Sequence, residues 1–157
     1  MKSASTTNNK RSPVCVVCSS GGHLSEALAA IEKINVPHYF VIFYEPHVVS
    51  RLRDEEVHYV IDPHKSPIGV KNLWQSSILF FRKRPKVIIS TGAGIALSTC
   101  ILGKIFGSRI IFIETGARVT SPSRTGLIMY RVADLFIVQW KPMLKVYPKA
   151  IYGGPLL

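Results

Sequence analysis

The chain has 157 residues, 47% of them hydrophobic and 18% charged, which suits one globular domain and is too short for two ordinary ones. Its 20 Lys and Arg against 9 Asp and Glu give a formal charge of +11 and call for an anionic partner: nucleic acid, an acidic lipid surface or a phosphorylated ligand. Three cysteines without framework spacing exclude a disulfide scaffold and suit a reducing cytosol.

Residues 1–12 are polar and basic and read as a disordered tail without the apolar stretch of a signal peptide; the ordered domain is expected over 13–157. Short β-branched runs then alternate with amphipathic segments. Strands are expected at 14–18, 39–44, 57–61, 86–90, 109–113 and 135–138, with a short last one at 150–152. This α/β alternation predicts a Rossmann-like open parallel sheet with helices on both faces. Leu24, Ala27, Leu28, Ile31 and Ile34 share one face of the first helix. In 68–84, Val70, Leu73, Trp74, Ile78, Phe80 and Phe81 fall within one broad arc and Leu79 falls outside it. Segment 95–106 is apolar nearly all round, so it is either deeply buried or touches something apolar. The wider stretch 94–113 is broken by Lys104 and Arg109 and does not read as a membrane span. No internal repeat or linker divides the chain.

Three small-residue turns follow three of the strands: Ser19-Ser20-Gly21-Gly22-His23, Thr91-Gly92-Ala93-Gly94 and Glu114-Thr115-Gly116-Ala117-Arg118. In a parallel sheet all three lie on the carboxyl edge, where ligands bind. Glycine lets backbone approach a ligand, and the helix that follows offers free amides to an anion. Each polar residue also has a plainer reading. His23 is either a base or a surface residue at a helix start. Glu114, directly after an apolar run, needs a partner or a ligand, and an ion pair with Arg118 would serve. Arg118 suits phosphate, whereas Arg124 and Arg131 read as solvated helix charges.

Other chemistries fit less well. Cys15 and Cys18 have metal-like spacing but point to opposite faces of a strand, and there is no second pair. Glu45 stands near the ribose position of a nicotinamide site, yet the first turn is not G-x-G-x-x-G. A Walker loop is absent, and the scattered basic residues match no nucleic-acid motif.

In combination, VCSSGGHLSEAL, ISTGAG, ETGARVTSPSRTG and ADLFIVQW with YPKA and YGG resemble one family over about residues 14–154. It is the acceptor-side subunit of split inverting glycosyltransferases, which includes the eukaryotic dolichol-pathway subunit and bacterial PssD-type polysaccharide proteins. The resemblance implies the N-terminal half of a MurG-like GT-B enzyme that binds a polyprenyl- or dolichyl-diphosphate-linked sugar. A separate partner subunit would hold most of the UDP-sugar, and this chain alone would be inactive or nearly so. It further implies His23 as the base and Glu114 as a rival base or acceptor-orienting group. Ser20, Gly21, Gly22, Thr91, Gly92 and Gly94 would give amides and space to the acceptor, and Arg118 would pair with phosphate. No cofactor or metal is implied, there being no DxD-type carboxylate pair.

Unlike the eukaryotic subunit, this sequence carries no transmembrane anchor. A peripheral position on the cytosolic membrane face is therefore expected, through Trp74, Leu79 and Phe80 beside Arg82 and Lys83, or through 95–106. Leu73 and Phe81 are expected in the core. The donor sugar stays open between N-acetylglucosamine, glucuronic acid and hexoses. Two other readings stand beside this one: a non-catalytic membrane scaffold for the partner, and a basic nucleotide- or nucleic-acid-binding domain.

Overall fold

The structure, a computed structural model, describes residues 13–61 and 70–157. Expectations placed on 1–12, on 68–69 and on the side chain of Val70 lie outside the described residues.

Seven parallel strands form one sheet: β1 (Val14–Val17), β2 (His38–Ile42), β3 (Val57–Tyr59), β4 (Val87–Ser90), β5 (Arg109–Ile113), β6 (Leu135–Val138) and β7 (Ile151–Tyr152). Their order is β3-β2-β1-β4-β5-β6-β7, so the chain winds outward from β1 in one direction and from β4 in the other. Each expected strand is present: β5 and β6 have the expected bounds, β2 begins one residue earlier and ends two earlier, and the others are a residue or two shorter. The apolar runs suit a sheet covered on both faces, since alternate residues enter opposite cores. Cys15 and Val17 pack into one core, Val16 and Cys18 into the other. Burial pushes both thiols up to about 12, leaving them protonated at neutral pH.

Helices α1 (Gly22–Ile31) and α2 (Pro46–Arg51) cover one face through Leu24, Ala27, Ile31 and Val48. Ile34, expected on the buried side of α1, lies past its end and is exposed. The other face is covered by α3 (Val70–Lys83), α4 (Ile95–Ile105) and α5 (Arg124–Val132). Gly103 of α4 sits so close to the sheet that a Cβ there would fall 2.3 Å from Ile88 Cδ1. Among the described residues no helix is long and apolar enough to cross a membrane.

Helix α3 faces the opposite way from its apolar arc. Leu73, Trp74, Ile78 and Phe81 are 46%, 66%, 49% and 48% exposed, while Asn72, Ser76 and Phe80 are buried. The cause is the backbone just beyond β3. Ile61 N donates to Gln75 Oε1 at 2.8 Å, and Asn72 Nδ2 donates to Ile61 O at 2.7 Å. These backbone groups need partners, and supplying them turns the polar stripe inward.

Five expectations change accordingly. Leu73 and Phe81 are not core. Phe80 is buried and Leu79 packs against the core, so neither is a lipid contact. Lys83 is held by Glu56 and lies over the Tyr39 ring, 5.5 Å from its centroid, so it is not a free cation. Trp74 and Arg82 remain outward. The apolar helix α4 adds Ile101 and Ile105, and Phe106 follows at its end; these three are 39%, 69% and 54% exposed. Residues 70–109 hold no acidic side chain, against Lys71, Arg82, Arg84 and Lys86 as well as Lys104 and Arg109, the last two of which Asp134 pairs. The α3–α4 face is therefore both apolar and basic.

Candidate functional site

Strands β1 and β4 are neighbours at the point where strand order reverses, the switch beyond whose carboxyl ends open α/β sheets form a ligand crevice. The β1–α1 turn enters it with Gly21 at φ +72°, and Ser20, Gly21 and Gly22 lie along it. Gly21 and Gly94 are the N-caps of α1 and α4 and carry no capping side chain; in α4 the Ala96 and Leu97 amides donate to Ala93 O and Gly94 O instead, which leaves the start of α1 as the more open of the two.

His23 ties this turn to the next. Its Nδ1 lies 2.8 Å from the Thr91 carbonyl oxygen. A carbonyl only accepts, so Nδ1 carries the hydrogen and Nε2 of the neutral ring is left with a free lone pair. Thr91, fully buried, returns the contact: its Oγ1 donates to His23 O at 2.7 Å. Gly92, at φ +116°, backs onto the ring, and a Cβ there would stand 3.1 Å from His23 Cε1. The side chain of His23 keeps 26% exposure.

Sequence reasoning missed Glu26, although its i,i+3 spacing from His23 and its place among Leu24 and Ala27 were legible. Oε2 lies 3.7 Å from His23 Nδ1, an ion-pair contact too long for a hydrogen bond. Oε1 accepts from Gly116 N at 2.6 Å, Gln139 Nε2 at 3.1 Å and Thr115 Oγ1 at 3.2 Å. Glu26 thereby fastens the third turn to the first. Burial pushes its pKa up, but the His23 ring and the bonds from Gly116 and Gln139 outweigh that and hold it below the usual value. The Glu26 carboxylate in turn raises the His23 pKa against the opposing effect of burial, and the Thr91 carbonyl adds to the rise.

Glu114 sits 1% exposed after β5. Oε1 accepts from Thr115 N at 3.1 Å, and Oε2 from Tyr147 Oη at 2.8 Å and Ser123 N at 3.3 Å. A Cβ on Gly126 of α5 would fall 2.0 Å from Oε2. Its own chain thus occupies the carboxylate. It makes no ion pair with Arg118, and it is placed to anchor the third turn and the start of α5 rather than to take a substrate proton. Arg118 stands exposed on that turn, and among the described residues no ion pair engages it.

Trp140 Nε1 donates to Gly116 O at 2.7 Å, and Leu156 N to Gln139 Oε1 at 2.9 Å. These contacts wall a cavity of about 290 Å³ between Gly22, Glu26, Gly116 and Trp140, with Pro155 and Leu157 at its rim. The structure brings together His23, the first two glycine turns and, through Glu26, the third turn with Arg118. Trp74 and Arg82 belong to α3 and stand apart from this group.

A parallel sheet of this order with its crevice at the β1/β4 switch defines a Rossmann-like domain of the kind that builds GT-B folds. UDP-GlcNAc 2-epimerase from Methanocaldococcus jannaschii superposes with a TM-score of 0.71 at 10% identity, over 87% of this chain and 42% of that one. MurG from Acinetobacter baumannii superposes with a TM-score of 0.65 at 12% identity, over 80% of this chain and 40% of that one. The chain thus spans about two-fifths of each of those enzymes, and at this identity the likeness concerns fold.

Residues 47–156 match the family described as "Oligosaccharide biosynthesis protein Alg14 like", and the chain belongs to that family. The human UDP-N-acetylglucosamine transferase subunit ALG14 is 24% identical, over all of this chain and 88% of the relative. The subunits of the same name from Candida albicans and Kluyveromyces lactis are 34% and 48% identical, over 58% and 32% of this chain and 44% and 21% of the relatives.

Proposed function

We propose that this chain is the acceptor-side subunit of a two-component inverting glycosyltransferase. The reaction moves a sugar from a UDP-sugar to a polyprenyl- or dolichyl-diphosphate-linked sugar. The observation that carries this reading is the orientation of His23: Nδ1 is spent on the Thr91 carbonyl, and Nε2 is left free beside two glycine turns. Names of the relatives favour UDP-N-acetylglucosamine as donor. A separate donor-binding polypeptide supplies the other side of the crevice, in keeping with the word "subunit" in those names.

In this mechanism His23 Nε2 takes the proton of the acceptor hydroxyl as that oxygen attacks the anomeric carbon. The new C–O bond forms on the opposite side from the leaving group, and the bond to UDP breaks with its electron pair going to UDP. Ser20, Gly21, Gly22 and Gly94 line the acceptor's diphosphate and sugar with amides, a hydroxyl and space, while Thr91 and Gly92, expected among them, are buried and hold the His23 ring from behind. Arg118 offers its guanidinium fork to a phosphate. Glu114 keeps the third turn in place.

The subunit works at the cytosolic face of a membrane. The exposed stripe of Leu73, Trp74, Ile78, Phe81, Ile105 and Phe106 supports this, since covering each of these half-exposed side chains is worth about 1–2 kcal/mol. The basic residues around it favour anionic headgroups.

The test is transfer from UDP-N-acetylglucosamine to a prenyl-diphosphate-linked N-acetylglucosamine by the chain co-expressed with its partner. His23→Ala should lower turnover by about 10²–10⁴ if His23 is the general base. Near-normal turnover would remove the base assignment and favour a scaffold that only docks the partner.

A further inference from the structure

We propose that Glu26 is the positioning residue of this site: its carboxylate pairs with His23 as a His–Glu dyad while clamping the third turn to the first. The proposal rests on His23 being the base and adds what sustains it.

The two oxygens of Glu26 do different things. Oε1 is saturated by Gly116 N, Thr115 Oγ1 and Gln139 Nε2. Oε2 is buried without a hydrogen-bond partner, although the side chain is only 6% exposed. A buried carboxylate oxygen left open is costly unless a cation stands near it. The group 3.7 Å away is the Nδ1 edge of His23.

Neutral His23 needs little from Glu26, because the Thr91 carbonyl already fixes its tautomer. The need arises when Nε2 accepts the acceptor's proton and the ring becomes an imidazolium. The proton then resides on Nε2, Nδ1 keeps its own hydrogen, and Glu26 stays a carboxylate that balances the new charge. Charge compensation of this kind acts on the transition state more than on the bound substrate. Three elements face the ring: α1 with Glu26, the β4–α4 turn with the neutral Thr91 carbonyl, and the end of β5 with Glu114. Of the two carboxylates, Glu114 adds a smaller charge effect, and both of its oxygens already accept hydrogen bonds, from the Tyr147 hydroxyl and two backbone amides. Glu26 alone has an oxygen to spare.

A purely structural clamp and a dyad make different predictions for Glu26→Gln. Glutamine keeps an acceptor oxygen for Gly116 and removes the charge. The full chain, without partner or substrate, is titrated by NMR on the imidazole carbon-bound hydrogens, with the His23 signal assigned by its loss in His23→Gln. The dyad predicts that the His23 titration moves to lower pH in folded Glu26→Gln and returns part of the way in Glu26→Asp. With the partner present, kcat should fall about tenfold or more while KM for the acceptor changes little. An unchanged His23 titration in a folded Glu26→Gln chain overturns the dyad, whatever the kinetics show. Full turnover by His23→Ala would instead remove the base reading and leave the titration result standing, so the two failures are distinguishable.

Discussion

His23 and Thr91, 68 residues apart, bond each other twice: Nδ1 donates to the Thr91 carbonyl at 2.8 Å, and Thr91 Oγ1 donates to the His23 carbonyl at 2.7 Å. Two βα turns from the two halves of the sheet are thereby locked into one unit at the strand-order switch. The ring cannot change tautomer without losing one of these bonds. Its free nitrogen is set before any substrate arrives.

Activity should therefore depend on pH through this ring. As the proposed base, His23 must be neutral to act, and its pKa lies above the ordinary 6.5 because of the Glu26 carboxylate. The kcat/KM profile should rise with pH through that elevated value, and the acidic limb should vanish from whatever activity His23→Gln retains.

Stability should respond in the opposite sense at this residue. A raised histidine pKa contributes stability fully below the unfolded value of 6.5, and the contribution is lost as pH rises through the folded value. Glu26, whose pKa is depressed, contributes above its unfolded 4.5 and loses that as pH falls through its folded value. Denaturation midpoints across pH, compared with those of His23→Gln and Glu26→Gln, check both signs.

Glu114→Ala should destabilise the fold by about 3 kcal/mol, since it strands the Tyr147 hydroxyl and two backbone amides in a buried setting. Gly126→Ala should also destabilise, because its Cβ would meet Glu114 Oε2 at 2.0 Å and Tyr147 Oη at 2.6 Å. Urea unfolding measures both. Per folded molecule, either variant should keep far more turnover than His23→Ala.

Gly92→Ala should cost about 1–3 kcal/mol for a side chain at φ +116°, and it should press the new methyl onto the His23 ring. Turnover should fall by more than the loss of folded protein explains, as seen by comparing activity with the circular-dichroism signal.

The outward stripe gives a prediction at the membrane. Trp74→Ser with Ile105→Ser should reduce sedimentation with phosphatidylserine-containing vesicles about tenfold or more and leave the melting temperature nearly unchanged. Leu79→Ala should do the reverse, because Leu79 packs against the core. Raised salt should weaken wild-type binding, as expected for a basic face.

Several parts of the molecule were legible in the residues and others were not. The β-branched runs marked every strand, and the glycine turns marked the crevice, because both signals are local. Helix α2 has only six residues, too few for a period to emerge. The arc of α3 was legible but its direction was not: that was set by the backbone of Ile61, whose need for Asn72 and Gln75 arises only after β3 and α3 meet. Glu114 announced itself as a carboxylate in need of a partner, yet the partner is Tyr147, 33 residues on, and not the neighbouring Arg118. Glu26 stood inside the run VCSSGGHLSEAL at i,i+3 from His23, but its partners Gly116 and Gln139 lie 90 and 113 residues away and carried no such signal.

The central claim is that this chain holds the acceptor, and direct binding tests it best. A short-chain prenyl-diphosphate-linked N-acetylglucosamine would be titrated into the full chain by calorimetry, without partner or UDP-sugar. The account predicts saturable binding, weakened by Arg118→Ala and by Gly92→Ala and unaffected by Trp74→Ser. Binding by the donor-side partner alone, with none to this chain, would contradict it.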